Sequence, residues 1–482
     1  MGAVISIDLG TSGCRSAVYN DSLQMLCSAT REYPLIVHSD TWIEQDANLW
    51  WDSVIATVKE ALAAYPLPGE EIQAISISAQ SISFVPIDEK GKTLHHAISW
   101  LDGRGEEEIK ELERKYSAEE LYNRTGKRLS PAYTFSKMLW FKKHKKKIYE
   151  KAWKILLPLD FIQYRLSGKC VCDHTIAGGT MFYDIVNQTW DRKLLEENGL
   201  SVDKLPEIAW AGTVVGTLRS EVAQELGLTQ RVLVVNGAQD QKCAALGAGA
   251  SHEIAAISLG TGCCISQISD KPFQDPAMRI PFFSYVYKNT WDLEGVINTA
   301  GSAYSWFQRE LGGGKSFQEL NAEAEEVDCP NTVQFYPNLA GGFSPCWEEG
   351  MGVFSGLSLM STRGHLTRAI FEGIAYNIRG NLDVMGEICG GAKKLHVFGG
   401  GSKSDLWCQI IADITNTKVV TCASSDTALA GAAKLAFMPL KDSMPDSLPF
   451  TKEFIPHVES VRQYESSYQK YQQMRKHIFA DK

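Results

Sequence analysis

The sequence predicts an α/β protein made of two similar domains. Its 482 residues are too many for a single core and fit two domains of ordinary to large size. Apolar runs rich in β-branched residues, typical of buried strands, alternate with amphipathic helical patterns. A short hairpin motif also occurs twice, half a chain apart. We therefore expect an N-terminal domain over residues 1–247 and a C-terminal domain over 248–482 that ends in a helical tail.

The first hairpin follows a buried strand near the N-terminus. An apolar run over 3–7 leads to Asp8 and to a turn of small residues from Gly10 to Gly13. Such a turn exposes backbone N–H groups and the hydroxyls of Thr11 and Ser12, which suits a phosphate. Asp8 would repel that phosphate unless a Mg²⁺ ion lay between them. We assign Asp8 to the metal and the two hydroxyls to the phosphate; the alternative is an ordinary tight hairpin.

The second hairpin repeats the first. Residues 255–265 again read strand, Leu-Gly-Thr, small residue and strand, with Ser258 where Asp8 stands in the first copy. Only the first copy therefore carries a carboxylate. Two such tips predict two similar domains that face one nucleotide. We assign to a second phosphate loop Gly260, Thr261 and Gly262.

A sugar or polyol site is predicted from a strand end and the loop beyond it. The strand over 72–78 runs into polar residues, and ligands bind at strand ends in α/β sheets. In the loop, the ring of Trp100 would cover C–H faces while Asp102 and Arg104 would bind hydroxyls. The alternative is a tryptophan packed against an Asp–Arg surface pair. The residues assigned to this site are Gln80, Ser81, Trp100, Asp102 and Arg104.

Asp240 is the predicted catalytic residue. It lies where the strand over 231–236 gives way to a helix, and a helix N-terminus favours a carboxylate in its charged form. The small residues over 243–249 would let a ligand approach closely. The alternative is a plain N-cap aspartate. The polar stretch over 173–180 precedes this strand, and its His174 is predicted to be structural because no nucleophile lies nearby in the sequence.

The remaining elements are assigned by pattern. Helices are predicted over 47–65, 131–147 and 159–166. In the second half, the strand over 394–398 opens into three glycines, on which a flat adenine or ribose could lie. A strand over 418–421 and a helix over 427–437 are expected to close the second domain, and a polar tail helix ends the chain. The residues assigned to the nucleoside are Gly399, Gly400, Gly401 and Ser402.

Composition excludes several classes of protein. A net charge of −9 without a basic stripe argues against nucleic acid. No apolar stretch reaches membrane-spanning length, and no signal peptide precedes the first strand. The 12 cysteines lack metal-ligand spacing. We expect a cytoplasmic, reduced protein with a small-molecule substrate and no nucleic-acid or membrane partner; a homodimer stays open.

With these residues in view, the chain resembles the FGGY family of carbohydrate kinases, which has the actin-like (ribonuclease H-like) ATPase fold. The resemblance covers essentially the whole length. An N-terminal signature departs from the family at Ala132 and is met at Thr134, Lys137, Met138, Trp140, Phe141, Lys143 and His144. The most specific piece, a C-terminal signature, is met at Gly352, Phe354, Gly356, Leu357, His365, Leu366, Ala369, Ile370, Phe371 and Glu372.

The resemblance implies two actin-like domains with a cleft between them, the first for sugar and catalysis and the second for ATP. It implies that Asp8 and Thr11 belong to the Mg²⁺ and phosphate site. By the same similarity, Asp240 matches the catalytic base and Gln241 a neighbouring sugar contact. The nucleotide residues implied are Thr261 and Gly262 for phosphate, and Gly399 to Gly401 with Ser402 for adenosine.

Within the family, the Trp100–Arg104 loop and the stretch from Pro158 to Thr180 are most similar to xylulose kinases. The substrate strand departs from them, with Gln80-Ser81-Ile82-Ser83 in place of Gln-Met-His-Gly. It also lacks the Gln-Arg-Glu-Thr of glycerol kinases. The sequence therefore predicts an ATP- and Mg²⁺-dependent kinase for a ketopentose or related polyol. Ribulose, glycerol and gluconate remain alternatives, as does a non-catalytic actin-like nucleotide or sugar sensor.

Overall fold

The structure is a computed structural model that describes residues 2–65, 71–273, 275–348, 350–424, 426–443 and 447–479. It is mixed α/β, as predicted. Its strands are β1 (Ala3–Leu9), β2 (Gly13–Tyr19), β3 (Met25–Glu32), β4 (Ile36–Ser39), β5 (Trp42–Gln45), β6 (Ile72–Ala79), β7 (Val85–Ile87), β8 (Ala97–Ile98), β9 (Lys154–Leu156), β10 (Val171–Asp173), β11 (Tyr183–Asp184), β12 (Thr189–Trp190), β13 (Glu207–Ala209), β14 (Val214–Thr217), β15 (Leu233–Val235), β16 (Ala238–Gln239), β17 (Ile254–Leu259), β18 (Cys263–Ser269), β19 (Phe282–Ser284), β20 (Trp291–Ile297), β21 (Gln334–Asn338), β22 (Met351–Ser355), β23 (Lys394–Phe398), β24 (Lys418–Cys422) and β25 (Phe450–Phe454).

The helices alternate with these strands along the chain. They are α1 (Ala47–Ala64), α2 (Glu106–Lys115), α3 (Ala118–Thr125), α4 (Thr134–His144), α5 (Lys146–Lys151), α6 (Pro158–Ser167), α7 (His174–Gly178), α8 (Arg192–Glu197), α9 (Ser220–Leu226), α10 (Asp240–Ala248), α11 (Gly301–Leu311), α12 (Phe317–Glu325), α13 (Arg363–Cys389), α14 (Asp405–Thr415), α15 (Thr427–Phe437) and α16 (Val458–Phe479). The helix predicted over 131–147 is two helices, because the backbone leaves the helical region at Lys145.

The chain forms two compact units. Unit 1 comprises Met1–Gly247, Phe282–Trp291 and Asp426–Ser447; unit 2 comprises Ala248–Pro281, Asp292–Ser425 and Leu448–Lys482. We expected α15 to close the second domain, but it lies in unit 1. Its carbonyl at Leu429 accepts a 2.6 Å hydrogen bond from the buried hydroxyl of Ser6 on β1. A helix of alanine, glycine and leucine is apolar all round, so it is stable only where it is covered.

The central sheet of unit 1 runs in the order β14-β15-β6-β1-β2-β3, and β16 also pairs with β6. The pairs β1–β6 and β16–β6 are parallel. Asp8 pairs with Ser78, and both Leu9 and Gln239 pair with Ala79. Three strands therefore end at one edge of the sheet. The chain leaves that edge at Asp8, Gln80 and Asp240.

Unit 2 has a sheet in which β20, β18, β17, β23, β24 and β25 are neighbours in that order. The hairpin β17–β18 is antiparallel, and β17 runs parallel to β23. Ser258 pairs with Phe398, so the Gly-Thr tip after β17 and the glycines after β23 leave the same edge. The predicted repeat is thus a structural one: in each unit a hairpin strand pairs with a parallel neighbour.

The last helix of unit 2 is not only a polar tail. Along α16, Tyr464, Tyr468 and Tyr471 are buried. The ring of Tyr471 stacks on Tyr336 with centroids 4.4 Å apart. Tyrosine scores as polar but buries a large ring when its hydroxyl finds a partner, which explains why composition alone missed this face.

Glycines bring α10 and α15 into backbone contact inside unit 1. A Cβ atom added to Gly431 would lie 1.9 Å from the carbonyl oxygen of Cys243, and one added to Gly247 would lie 2.1 Å from that of Thr427. The small residues of α10 therefore serve the packing of two helices. The contact matters because α10 begins at Asp240.

We predict that Gly431→Ala destabilises unit 1, because the obstructing atom is backbone and cannot rotate away. Overpacking of this kind costs about 3 kcal/mol, measurable as a lower midpoint of thermal unfolding. Gly216→Ala is the matched control, since its nearest neighbour would be the Cβ of Ser167 at an ordinary 3.6 Å. Equal midpoints for the two variants would contradict the close helix contact.

Candidate active site

Asp8 lies next to the last residue of β1, and its carboxylate is hydrogen-bonded and partly desolvated. The hydroxyl of Ser78 donates to its Oδ1 at 2.7 Å. Burial raises the pKa of Asp8, and nearby Asp426 raises it further, while Ser78 and Arg15 lower it. Arg15 pairs with Asp426, so its charge is shared. A desolvated carboxylate of this kind is stabilised by a cation, which fits the predicted metal role.

The first Gly-Thr tip is a closed turn in unit 1. The N–H of Gly10 donates to the carbonyl of Gly13 at 2.9 Å. The carbonyl of Thr11 accepts a bond from the side chain of Gln45, and its hydroxyl accepts one from the indole of Trp100, both at 2.8 Å. The Thr11 hydroxyl therefore keeps its proton for a further acceptor. Its neighbour Ser12 is exposed.

The second tip, in unit 2, is closed in the same way. The N–H of Gly260 donates to the carbonyl of Gly262 at 3.0 Å. The carbonyl of Thr261 accepts the N–H groups of Ala300 and Ser302, both at 3.0 Å, which fixes the tip on the start of α11. The side chain of Thr261 is exposed. In both tips the N–H of the first glycine is used within the turn, so it is not a donor for a ligand.

The glycine loop after β23 is shaped by packing on β17. Gly399 has φ +94°, and a Cβ there would lie 2.8 Å from the carbonyl oxygen of Leu259. A Cβ on Gly401 would lie 2.5 Å from the side chain of that same leucine. At Gly400 no described atom lies within 4 Å of such a Cβ. The hydroxyl of Ser402 donates to the carbonyl of Gly399 at 2.8 Å. Of the three glycines in this loop, Gly400 is therefore the one whose Cα has free space beside it among the described residues.

Trp100 presents its ring at the surface of unit 1, with 38% of the residue exposed. Its backbone N–H donates to the buried hydroxyl of Ser83 at 2.9 Å. Its indole N–H donates to Thr11. The indole thus lies beside the first Gly-Thr tip, with part of the residue exposed to solvent.

Asp102 and Arg104 form a buried ion pair within the Trp100–Arg104 loop. Asp102 Oδ2 accepts the N–H of Ile43 at 2.6 Å and a guanidinium N–H of Arg104 at 2.8 Å. The guanidinium lies against the rings of both Trp42 and Trp140, 4.7 and 4.8 Å from their centroids. Asp102 is 1% and Arg104 7% exposed, so the pair is buried and not a surface pair. Their geometry favours positioning of Trp100 over direct contact with a hydroxyl.

Lys137 anchors the same loop, a role that the sequence did not reveal. Its Nζ donates to the carbonyls of Ser99, Trp100 and Ala132 at 2.9, 3.2 and 2.6 Å. Burial lowers the pKa of Lys137 to about 7, although Asp102 acts against this. The available signal was a lysine on an otherwise apolar stretch of α4.

The predicted sugar residues after β6 lie in a tight turn. Gln80 is buried and bonds to Leu9 through its N–H and to Gln45 through its amide nitrogen. Among the described residues, no donor reaches the buried Gln80 Oε1. Ser81 is half-buried, and Ile82 has φ +73°, a strained value for a β-branched residue. Ile82 lies in the Gln80–Ser83 stretch that follows β6.

Asp240 is the first residue of α10 and is half-buried. Its Oδ1 accepts the side-chain N–H of Gln239 at 2.6 Å and the backbone N–H of Gln241 at 2.7 Å. The side chain of Gln241 is also half-buried. The carboxylate is therefore oriented by its chain neighbours at the start of a helix.

His174 is structural, as predicted. Its ring stacks on Trp210 with centroids 3.7 Å apart, and its Nδ1 lies 2.7 Å from the hydroxyl of Tyr183. Burial lowers the pKa of His174 to about 4. The imidazole is thus neutral near pH 7 and belongs to the core.

Known proteins match over nearly the whole chain. The chain is similar to the xylulose kinase of Klebsiella pneumoniae, with 31% identity over 442 residues that cover 91% of this chain and 90% of that one. It is also similar to the crystal structure of ligand-bound xylulose kinase from Lactobacillus acidophilus, with a TM-score of 0.94, 25% identity and coverage of 100% and 99%. Gluconate kinase from the same organism gives a TM-score of 0.93 with the same identity and coverage.

Two family models cover most of the sequence. The N-terminal domain model of the FGGY family of carbohydrate kinases matches residues 3–247, and the C-terminal domain model matches 255–440. Within the described residues, no helix combines the length and the apolar character needed to cross a membrane. The chain belongs to the FGGY family of carbohydrate kinases.

Proposed function

We propose that this kinase transfers the γ-phosphoryl group of ATP to a primary hydroxyl of a ketopentose or related polyol, with Asp240 as the base. One observation carries the proposal. Asp8 and Asp240 leave the same edge of the unit 1 sheet, two strand spacings apart, one desolvated and the other at a helix start. Family membership supports phosphoryl transfer to an alcohol. The xylulose and gluconate kinases among its relatives support a sugar or sugar-derived acceptor.

The proposed work of Asp240 follows from its surroundings. Phosphoryl transfer demands positioning and charge neutralisation more than covalent chemistry. A sugar hydroxyl is a poor nucleophile near pH 7, so a carboxylate that orients it and accepts its proton late in transfer raises the rate. The bonds from Gln239 and Gln241 fix the carboxylate before a substrate arrives. Exclusion of water then decides whether the sugar or water accepts the phosphoryl group.

Asp8 is the residue that would hold Mg²⁺ with the nucleotide phosphates. A hard cation prefers oxygen ligands and commonly uses one or two carboxylates together with substrate phosphates. The fit rests on the desolvation of Asp8 and on Ser78, which fixes one of its oxygens. When bound, the metal would neutralise phosphate charge. Thr11 and Ser12 in unit 1, and Thr261, Gly262 and the Gly399–Ser402 loop in unit 2, are the residues proposed for the nucleotide.

The sugar residues proposed are Trp100, Gln80, Ser81 and Gln241. The exposed indole of Trp100 would cover a C–H face, and the buried Gln80, whose Oε1 accepts no hydrogen bond from the described residues, lies at the end of β6 where Ser81 follows. Asp102 and Arg104 would act through Trp100. Because Ser81 and Ile82 replace the side chains of well-known xylulose kinases, we expect a related ketose or polyol to outperform xylulose.

The first test is ADP release with D-xylulose, D-ribulose, glycerol and gluconate, repeated with Asp240→Asn. Asparagine keeps the shape but cannot accept the proton, so turnover should fall by about 10²–10⁴-fold with little change in ATP affinity or unfolding midpoint. Asp405→Asn is the control, because Asp405 also begins a helix, α14, and is exposed.

Near-normal turnover of Asp240→Asn would remove Asp240 from the mechanism. Sugar binding without ADP release for any acceptor would indicate the sensor instead. A preference for xylulose by several decades would contradict the substrate argument alone.

The second test addresses the metal. Asp8→Asn should lower turnover at saturating Mg²⁺ by about 10²-fold and raise the Mg²⁺ concentration for half-maximal activity, because the cation loses a charged ligand. Asp88→Asn is the control; that carboxylate accepts two backbone N–H groups in a turn. An unchanged Mg²⁺ dependence in Asp8→Asn would assign the metal elsewhere.

The third test concerns the aromatic platform. Trp100→Leu should raise the KM for the sugar by about 3- to 10-fold, the value of a lost aromatic contact, with the KM for ATP changed less. Trp153→Leu is the matched control, since Trp153 is equally exposed at 38%. The same KM in both variants would place the sugar away from Trp100.

A further inference from the structure

We propose that Gln239 is the positioning residue for Asp240, and that Thr175 and Asp173 fix Gln239 in turn. This inference rests on the proposed role of Asp240 as the base. The proposal also assigns a role to the polar stretch around Asp173, which takes no direct part in the proposed reaction.

Both ends of the Gln239 side-chain amide are engaged. Its Nε2 donates to Asp240 Oδ1 at 2.6 Å, and its Oε1 accepts the backbone N–H of Lys242 at 3.1 Å. A flipped amide would set its oxygen against the carboxylate and its nitrogen against an N–H, so the observed orientation is the favourable one. Gln239 thereby connects the Asp240 carboxylate rigidly to the first turn of α10.

The backbone of Gln239 is held from two sides. It pairs with Ala79 on β6, and its N–H donates to the hydroxyl of Thr175 at 2.8 Å. That hydroxyl in turn donates a hydrogen bond of 2.9 Å to Asp173 Oδ1. A short path of polar bonds thus runs from a fully buried carboxylate to the residue that precedes the base.

Asp173 is a rigid end point for this path. It is 0% exposed and accepts the backbone N–H groups of Thr175 and Ile176 at 2.9 Å each, besides the Thr175 hydroxyl. A buried carboxylate is tolerated when it is satisfied by several donors. Its bonds to the start of α7 fix where the Thr175 oxygen lies.

The Gln239 N–H also affects the proton affinity of Asp240. A donor to the charged form of a carboxylate lowers its pKa, so loss of the donor raises it. Burial raises the pKa of Cys243, and the carboxylates of Asp173, Asp8 and Asp240 raise it further. Burial also raises the pKa of Asp173 to about 7. The charged and titratable groups around the first turn of α10 are Lys242 and Cys243 on the helix itself, and Asp173 and Asp8, which act on Cys243 from β10 and β1. Lys127 shares the ring of Phe283 with Lys242.

The test is the pH profile of kcat for Gln239→Leu and Gln239→Glu. Leucine removes the donor, and glutamate replaces it with a second carboxylate. The acidic limb should therefore move to higher pH in the order wild type, Leu, Glu, by about one pH unit for the first step. The titration of Asp173 is common to all three proteins and leaves this order unchanged. The KM for ATP should stay within about twofold.

Thr175 supplies the second arm. Thr175→Val leaves the Gln239 N–H without its acceptor and should lower kcat about 10-fold, whereas Thr175→Ser keeps the hydroxyl and should restore most of it. Gln163→Leu is the control: Gln163 is a buried glutamine of α6 that bonds to the carbonyl of Val171. It should lower the unfolding midpoint without moving the acidic limb.

The outcomes separate the two claims. If Asp240→Asn retains activity, the proposed base is wrong. If Asp240→Asn is inactive but the Gln239 variants change only the unfolding midpoint, with an unmoved acidic limb and no serine rescue at Thr175, Asp240 stands and the positioning role of Gln239 is overturned.

Discussion

The parallel register of β1, β6 and β16 is the constraint on which the proposed chemistry depends. Adjacent strands lie about 4.8 Å apart, so the pairings Asp8–Ser78 and Gln239–Ala79 set the backbones of β1 and β16 about 10 Å apart on either side of β6. A slip of one residue would turn every side chain to the opposite face. At Gly237, just before β16, the backbone packs directly on β6, because a Cβ there would lie 1.8 Å from the carbonyl oxygen of Ile77. Only glycine permits this close approach.

The same edge depends on a part of the chain far away in sequence. α15 returns to unit 1 after most of unit 2 and covers β1 through the Ser6–Leu429 bond. It also meets α10 at Gly431, where only a hydrogen side chain fits. The helix that begins at Asp240 is thus packed against a helix that follows it by almost two hundred residues. Sequence proximity to the base is a poor guide to what positions it.

The sequence predicted what short-range pattern determines. Gly-Thr tips after β-branched strands, and Asp240 at a strand–helix junction, are local features, and the structure has these elements where they were expected. Burial was not local. Asp102 and Arg104 read as polar contacts for a ligand, yet Trp42, Trp140 and β5 cover them. The loop anchor Lys137 and the membership of α15 in unit 1 depend on contacts between distant segments, which no periodicity encodes.

The polar residues of unit 1 are of two kinds. Some are at least partly exposed to solvent, and others are buried and fix the backbone around them. Asp240 is half-buried and Trp100 is exposed, whereas Lys137 and Asp173 are fully buried and bonded mostly to backbone groups. Backbone partners do not depend on the identity of neighbouring side chains, so these buried residues keep their contacts when a side chain proposed for the sugar is replaced. Ile82, with φ +73°, lies in the turn after β6, next to Ser81, which is proposed for the sugar. In the proposed function, the residues of phosphoryl transfer leave the strands of the central sheet of unit 1, and the residues proposed for the sugar lie in the loops that follow these strands.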